Sequence, residues 1–514
     1  MHRKSLAVVV AGLGLLAACS SSGSIAFNLP ASTPPASSPT ASPTIHSSIP
    51  ANALASVAAY DRQKLSWHEC HDGLECSTLL VPLDYAQPGG KQVHIAVIRV
   101  KASGTSEGSL IMNPGGPGES GVDFVASDSQ AFKALTTHFD LVSFDPRGVG
   151  ASDPIRCLTS PQLDAYVNLV PVPTTPAQKR ETINSARQFA NACYRKNGSY
   201  LEHVGTKDQA RDMDVLRAAL GDKKLTYYGA SYGTYLGAKY AELFPTHIRA
   251  MVLDGALNPD ESGTAANLVQ AKGFETDLND FIAYCVQSGK CPFGSTVAAA
   301  NDGLNKLIAQ LTAHPLTSNG RVVGAGELFE GLAAGLYSTG SWPSLQAVLG
   351  AAQAGNGAGI LVFADSLVGR NSDGSYTNLI ESNMAINCID RPWPRSVATY
   401  ASNASSFAKS APRFGAPIEW GSLPCAFWRV PPVESTHPVS ALGAPPILVI
   451  GTTRDPATPF VWAQALAHQL ASGVLLTHDG DGHTAFIDHD PCVNSVVEKY
   501  VFDLTPPAAG TVCK

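Results

Sequence analysis

A serine stands between two glycines in Gly229-Ala230-Ser231-Tyr232-Gly233, where a strand-like run meets a helix-like one. Lys224-Leu225-Thr226-Tyr227-Tyr228 before it is β-branched and aromatic, and Thr234-Tyr235-Leu236-Gly237-Ala238-Lys239-Tyr240-Ala241 after it reads as a helix. A chain that passes so abruptly from strand to helix needs a sharp turn, and the flanking glycines leave room for it. The turn pushes the serine hydroxyl clear of the sheet, as in a nucleophile elbow. Ser231 is therefore the candidate nucleophile, and a sheet with helices packed on it is the expected fold.

The pattern alone is weak, and this chain supplies its own control. Gly104-Thr105-Ser106-Glu107-Gly108 matches it too. That copy lies between two strand-like runs, 93–100 and 109–112, and no helix follows. It reads as a hairpin loop with no chemistry.

Buried-strand runs recur along the chain. Residues 93–100 alternate like an edge strand of an antiparallel hairpin, and 109–112, 138–145 and 248–255 are apolar. Residues 208–220 form an amphipathic helix carrying Met213, Leu216 and Leu220 on one face. Strands alternating with helices predict an α/β fold with a mostly parallel sheet covered on both faces. The alternation stops near residue 258 and resumes at 446–451 and 473–477. Residues 258–440 are expected to be a mainly helical cap inserted into a core of 60–257 and 441–514. No internal repeat is present.

The chain opens with basic His2-Arg3-Lys4, then an apolar run at 6–16 too short to span a bilayer stably. It ends in Leu16-Ala17-Ala18-Cys19, which resembles a bacterial lipobox. Residues 1–18 are expected to be a signal peptide and Cys19 the lipidated first residue. The competing expectation is an ordinary secretory signal with an incidental cysteine. Residues 19–59, rich in Ser, Thr, Pro and Ala, are expected to be a disordered tether lifting the folded part off the outer face of the membrane.

Removing Cys19 from eleven cysteines leaves ten, an even number in an exported chain. Nearest-neighbour spacing suggests Cys70–Cys76, Cys157–Cys193, Cys285–Cys291, Cys388–Cys425 and Cys492–Cys513. No C-x-x-C and no paired histidine motif accompanies them, so no metal is expected. The net charge of −7 comes without a basic stripe, so nucleic acid is not an expected partner. A monomer without cofactor is expected.

A serine needs a base, and the base needs a carboxylate to hold it. In a strand-to-helix serine site the order is Ser, then Asp or Glu, then His. Asp455, in Arg454-Asp455-Pro456-Ala457-Thr458-Pro459, and His483, in Asp481-Gly482-His483-Thr484, each lie just past a strand. His478 and His489 are the alternative bases, and Asp455-Pro456 could serve only as a turn. The oxyanion donors are expected to be the backbone N–H of Tyr232 and one from Asn113-Pro114-Gly115-Gly116-Pro117-Gly118, Gly116 first and Gly115 second. Two prolines and the lack of a following Lys-Ser or Lys-Thr argue against a phosphate loop.

Together with Phe144-Asp145-Pro146-Arg147-Gly148, these motifs resemble those of the exported tripeptidyl aminopeptidases of actinobacteria, relatives of the prolyl aminopeptidases. The likeness spans nearly all of residues 60–514, and 412–514 resembles the C-terminal region of that group. It implies the α/β-hydrolase fold and a Ser–His–Asp exopeptidase acting on peptides or proteins with free N-termini. Prolyl aminopeptidases usually carry His-Gly-Gly-Pro-Gly at the oxyanion loop; Asn113-Pro114 here fits the tripeptidyl branch better. An aminopeptidase must hold an ammonium group, with Glu119 and Asp390 as the candidate carboxylates. An esterase and a non-catalytic binding protein on the same fold are the rival readings.

Overall fold

The computed structural model describes residues 54–71 and 73–514; the signal segment, Cys19 and the tether through residue 53 lie outside the described residues. The strands are β1 (His68–Cys70), β2 (Leu74–Pro82), β3 (Gln92–Val100), β4 (Ser109–Asn113), β5 (Asp140–Phe144), β6 (Leu225–Ala230), β7 (Ile248–Asp254), β8 (Leu316–Ser318), β9 (Arg321–Val323), β10 (Ile447–Arg454), β11 (Gly473–Asp481) and β12 (Val512–Cys513). Ten of them form one sheet in the order β1-β2-β3-β5-β4-β6-β7-β10-β11-β12. Pairing is antiparallel from β1 through β3 to β5 and parallel from there to β12. This is the α/β-hydrolase arrangement expected above.

The central strands are apolar throughout because both faces are covered. Ile111, Tyr227, Met251 and Val449 enter one apolar cluster. Their chain neighbours Met112, Tyr228, Val252 and Ile450 enter the cluster on the other face. Side chains alternate between faces, so one continuous apolar run feeds two cores.

Three expectations are corrected. The run at 93–100 is not an edge: β3 lies between β2 and β5, and the alternation reflects one face nearer solvent. The Ser106 loop is not a hairpin, because β5 inserts between β3 and β4. Its Ser106 Oγ donates only to Gly108 O within the loop. The folded part also begins earlier than expected. Leu54 and Tyr60 are buried in the main core, so the fold takes up the chain before residue 59.

Between β7 and β10 no strand joins the main sheet. The segment holds eight α-helices and the small β8–β9 hairpin. Its apolar cluster includes Phe274, Leu278, Leu332 and Leu336, and it also takes in Ala457 from the loop after β10. Disulfides join Cys70–Cys76, Cys157–Cys193, Cys285–Cys291, Cys388–Cys425 and Cys492–Cys513. Such bridges persist in an oxidising compartment outside the cytoplasm. Among the described residues no helix is long and apolar enough to cross a membrane.

One buried group in this helical segment opposes folding. Asp277, on the helix Gly263–Gln287, is fully buried and neither carboxylate oxygen has a hydrogen-bond partner. Burial, with Asp481, Asp280 and Asp455 nearby, pushes its pKa up to about 9. The folded state therefore binds a proton that the unfolded chain releases above its ordinary carboxylate pKa. The resulting destabilisation grows from about pH 4 and levels off above about pH 9. Asp277→Asn is expected to stabilise the protein at pH 7 by about 4 kcal/mol. In thermal melts the gain should shrink toward pH 4; an equal gain at both pH values would contradict it.

Candidate active site

The elbow forms as its glycines require. Ser231 has φ 53° and ψ −120°, a left-handed conformation rare for a non-glycine residue and typical of functional sites. A Cβ on Gly229 would sit 2.3 Å from Gly233 O, so the two arms of the turn cannot open for a larger residue. Ser231 N–H donates to Asp254 O at 2.8 Å, and Thr234 donates to Ser231 O through its N–H and its hydroxyl. The strained turn is thus pinned from both sides.

Asp455 and His483 emerge at the same sheet edge. His483 Nδ1 lies 2.9 Å from Asp455 Oδ2 and 3.0 Å from Oδ1. Asp455 Oδ1 also accepts the N–H groups of Ala457 and Thr458, and Oδ2 accepts the Thr458 hydroxyl at 2.8 Å. Neither His478 nor His489 bonds to Asp455; His478 Nδ1 instead faces Thr452 Oγ1 at 3.2 Å. The other nitrogen of His483, Nε2, is buried and has no partner.

Ser231 and His483 each stand against the end of β7. Asp254 O receives the Ser231 N–H, while a Cβ on the adjacent Gly255 would lie 3.0 Å from His483 Cε1. Gly255 has φ +69° and leaves the imidazole just enough space. The two side chains are not hydrogen bonded to each other, and such contacts often tighten only around substrate.

Burial of the His483 ring works against its charged form. The charge and hydrogen bond of Asp455 more than offset this and raise its pKa above the ordinary histidine value, with Asp254 and Asp488 adding to the rise. Asp254 is itself pushed up to about 6 by burial. A base must be neutral to accept a proton, so activity should fall as pH drops through this raised pKa. The acid limb of kcat/KM is expected above pH 6.5; a rate flat from pH 8 to below 6 would exclude His483 as the base.

The loop after β4 folds against the elbow. A Cβ on Gly115 would lie 2.9 Å from Ser231 Cβ and 3.4 Å from Tyr232 N. Gly115 nevertheless does not suit the donor role, because its N–H is already given to Asn113 Oδ1 at 3.1 Å. Gly116 is solvent-reached, with φ 101°. Tyr232 opens the helix Tyr232–Leu243, so its N–H has no acceptor within that helix.

The two candidate ammonium carboxylates part company. Glu119 lies beside the oxyanion loop without an ion pair or hydrogen bond to its side chain among the described residues. Its side chain is exposed. Desolvation, with Asp128 nearby, pushes its pKa up to about 7, and it lies within electrostatic reach of His483. Asp390 is buried behind the elbow, and both its oxygens accept from Thr206, N–H at 2.8 Å and hydroxyl at 2.5 Å. It holds the first turn of the helix Thr206–Leu220, so its part is structural. Thr206 Oγ1 in turn bonds the Tyr232 hydroxyl.

Sequence reasoning missed Tyr337 and Thr458. Tyr337 O accepts the His483 N–H at 2.8 Å, and its ring meets the imidazole edge-on at 5.2 Å. Thr458 stood inside the quoted motif, and its spacing of three from Asp455 is the turn signal that could have found it. Nothing local marks Tyr337.

With this geometry established, known proteins give it a lineage. The family described as TAP-like protein matches residues 411–513. Serine protease Hip1 of Mycobacterium tuberculosis is 37% identical over 474 residues, covering 88% of this chain and 91% of that one. This chain belongs to the TAP-like family of α/β hydrolases. Two further relatives frame its chemistry. Carboxylesterase B of M. tuberculosis is 39% identical over 466 residues, covering 87% of this chain and 89% of its own. Tripeptidyl aminopeptidase of Streptomyces coelicolor is 34% identical over 480 residues, covering 90% and 88%. The chain is therefore an enzyme of the α/β-hydrolase fold, with protease and esterase names among its relatives.

Proposed function

We propose that this protein is a serine exopeptidase of the tripeptidyl aminopeptidase type. In this reading it is exported and held to the outer face of the membrane by lipid on Cys19. Ser231 Oγ attacks the scissile carbonyl carbon while His483 Nε2 takes the hydroxyl proton. Asp455 faces the imidazolium that results. The carbonyl oxygen, now negative, meets the N–H groups of Tyr232 and Gly116. The C–N bond breaks, His483 returns the proton to the departing amine, and an ester to Ser231 remains. Water then attacks that ester with His483 again as base, releasing the short peptide and free Ser231. The helical segment 258–440 acts as a cap that walls the cleft on the side of Tyr337.

The observation that carries the peptide reading is Glu119, an exposed carboxylate directly after Gly118 of the oxyanion loop, with no ion pair among the described residues. Its pKa is raised to about 7. A bound ammonium would draw it back to the ionised form, which an acyl ester could not do. The second reading, a carboxylesterase, is favoured by the relative of that name at 39% identity. Triad and oxyanion donors serve both, so substrate decides. Peptides with free and with acetylated N-termini should be cleaved at very different rates. Equal cleavage of the two, or cleavage of esters alone, would overturn the exopeptidase reading. A fluorophosphonate that failed to label Ser231 in folded protein would favour a non-catalytic binding role.

A further inference from the structure

Asp254 ends β7 and is wholly buried. Its register neighbours are Ala230 on β6, the residue before Ser231, and Ile450 on β10, the strand that leads to Asp455. It thus stands between the strands that carry the nucleophile and the acid. Its backbone and its side chain serve different loops. The carbonyl accepts the Ser231 N–H at 2.8 Å. Carboxylate Oδ2 accepts the Phe486 N–H at 2.9 Å and the Tyr228 hydroxyl at 2.8 Å. Phe486 lies three residues beyond His483 on the same loop. A Cβ on Gly255, next in the chain, would meet that loop twice, at 3.0 Å from His483 Cε1 and 3.1 Å from Thr484 Cγ2.

Linking two loops does not require a charge, since an amide oxygen could accept the same two donors. A carboxylate here is held by neutral donors alone, and its Oδ1 has no hydrogen-bond partner. The titratable groups around it are Tyr228 on β6, Asp455 after β10, and His483 and Asp488 after β11. Among these four, His483 is the one that can turn positive. Burial pushes Asp254 up to about 6, so it is ionised at neutral pH and favours the protonated form of His483. Its counter-charge exists while His483 holds a proton.

We propose that Asp254 is a positioning residue for Ser231 and His483: its carbonyl fixes the elbow, its carboxylate fixes the His483 loop, and its negative charge backs the imidazolium formed when His483 takes the serine proton. This role rests on His483 being the base and gives Asp455 a second carboxylate to work with. Asp455 bonds Nδ1 and so selects the tautomer. Asp254 bonds neither ring nitrogen and acts through the backbone of the loop and through its field.

Asp254→Asn keeps the shape and removes the charge. Its amide oxygen can keep both bonds of Oδ2, and its NH2 falls where Oδ1 has no partner. On a p-nitrophenyl ester and on a tripeptidyl p-nitroanilide, kcat is expected to fall about 10-fold at pH 8 with KM unchanged. The acid limb of kcat/KM should move down by about half a pH unit, because His483 loses a neighbour that favours its charged form. Tyr228→Phe keeps the ring beside Phe132 and Phe486 and removes one donor to Oδ2. Asp254 then protonates more easily, and the limb should move the same way by less. A residue that merely held the fold would lower the melting temperature and leave the limb in place. A limb left at the wild-type pH, or raised, in both variants would overturn the proposal while leaving the triad intact. Should Asp254→Asn melt too low to assay, Tyr228→Phe decides by the same reading. A wild-type enzyme with no acid limb would overturn both the proposal and His483 as base.

Discussion

Ser231→Ala is expected to lower kcat by about 10⁴-fold or more on peptide and ester alike. The methyl group keeps the turn and the oxyanion donors but removes the atom that attacks. What remains is the small catalysis that positioning and oxyanion stabilisation give without a nucleophile. Activity within tenfold of wild type, in enzyme freed of contaminating hydrolases, would remove Ser231 from the mechanism. The same position tests the strain at the elbow. Ser231 holds φ 53°, which glycine adopts without cost. Ser231→Gly should therefore be as inactive as the alanine variant yet melt higher than it, since alanine keeps the strain and glycine relieves it.

The largest loss of stability is expected at Arg147. Its side chain is fully buried, and all five N–H donors are used. Nε and Nη2 reach Asp212 at 2.6 Å each, Nη1 donates to Leu83 O and His203 O, and Nη2 also to Pro82 O. Tyr85 donates to the same Asp212. The arginine joins the ends of β2 and β5 to the helix Thr206–Leu220, and through its neighbour Asp145 it steadies the oxyanion loop. Asp145 accepts from Ser120 and Val122, at the start of the helix Gly121–Asp128 that follows that loop. Arg147→Ala leaves the buried Asp212 carboxylate with the Tyr85 hydroxyl but no counter-charge, and takes a donor from each of three carbonyls, a loss of about 4 kcal/mol. Melting followed by circular dichroism should drop by several degrees. Arg147→Lys should recover little, because an ammonium cannot match a planar fork that serves four acceptor groups. A melting point unchanged in both variants would contradict this account.

How far the site could be read from sequence follows from how local each interaction is. Ser231 announces itself because the elbow is made by residues within two positions of it. Asp455 and His483 are legible because each follows an apolar strand, and strand ends on a parallel sheet fall at one edge. Asn113 was noted as a departure at the oxyanion loop, but its bond to Gly115 N–H is a matter of rotamer rather than pattern. Asp390 looked free because its partner Thr206 lies 184 residues away. Tyr337 caps a helix whose apolar residues serve their own cluster, so no periodicity singles it out. The helix Thr206–Leu220 is buried well beyond the apolar face its periodicity marks: Asp212 and Asp214 are buried too, paired with Arg147 and Arg217.

The loop that carries Asp455 leans on the inserted helices as much as on the sheet. Gln270 donates to Ala457 O at 2.8 Å, Ala457 packs in the insertion's apolar cluster, and a Cβ on Gly273 would stand 2.6 Å from Pro456 O. Tyr337 grips the backbone of His483 from the same segment. A cassette that supplied selectivity alone could be traded among relatives with the catalytic strands left as they are. Here Asp455 and His483 take part of their footing from the cassette. A chimera that exchanges 258–440 must bring along its matching 455–459 and 483–484, or it forfeits turnover together with specificity.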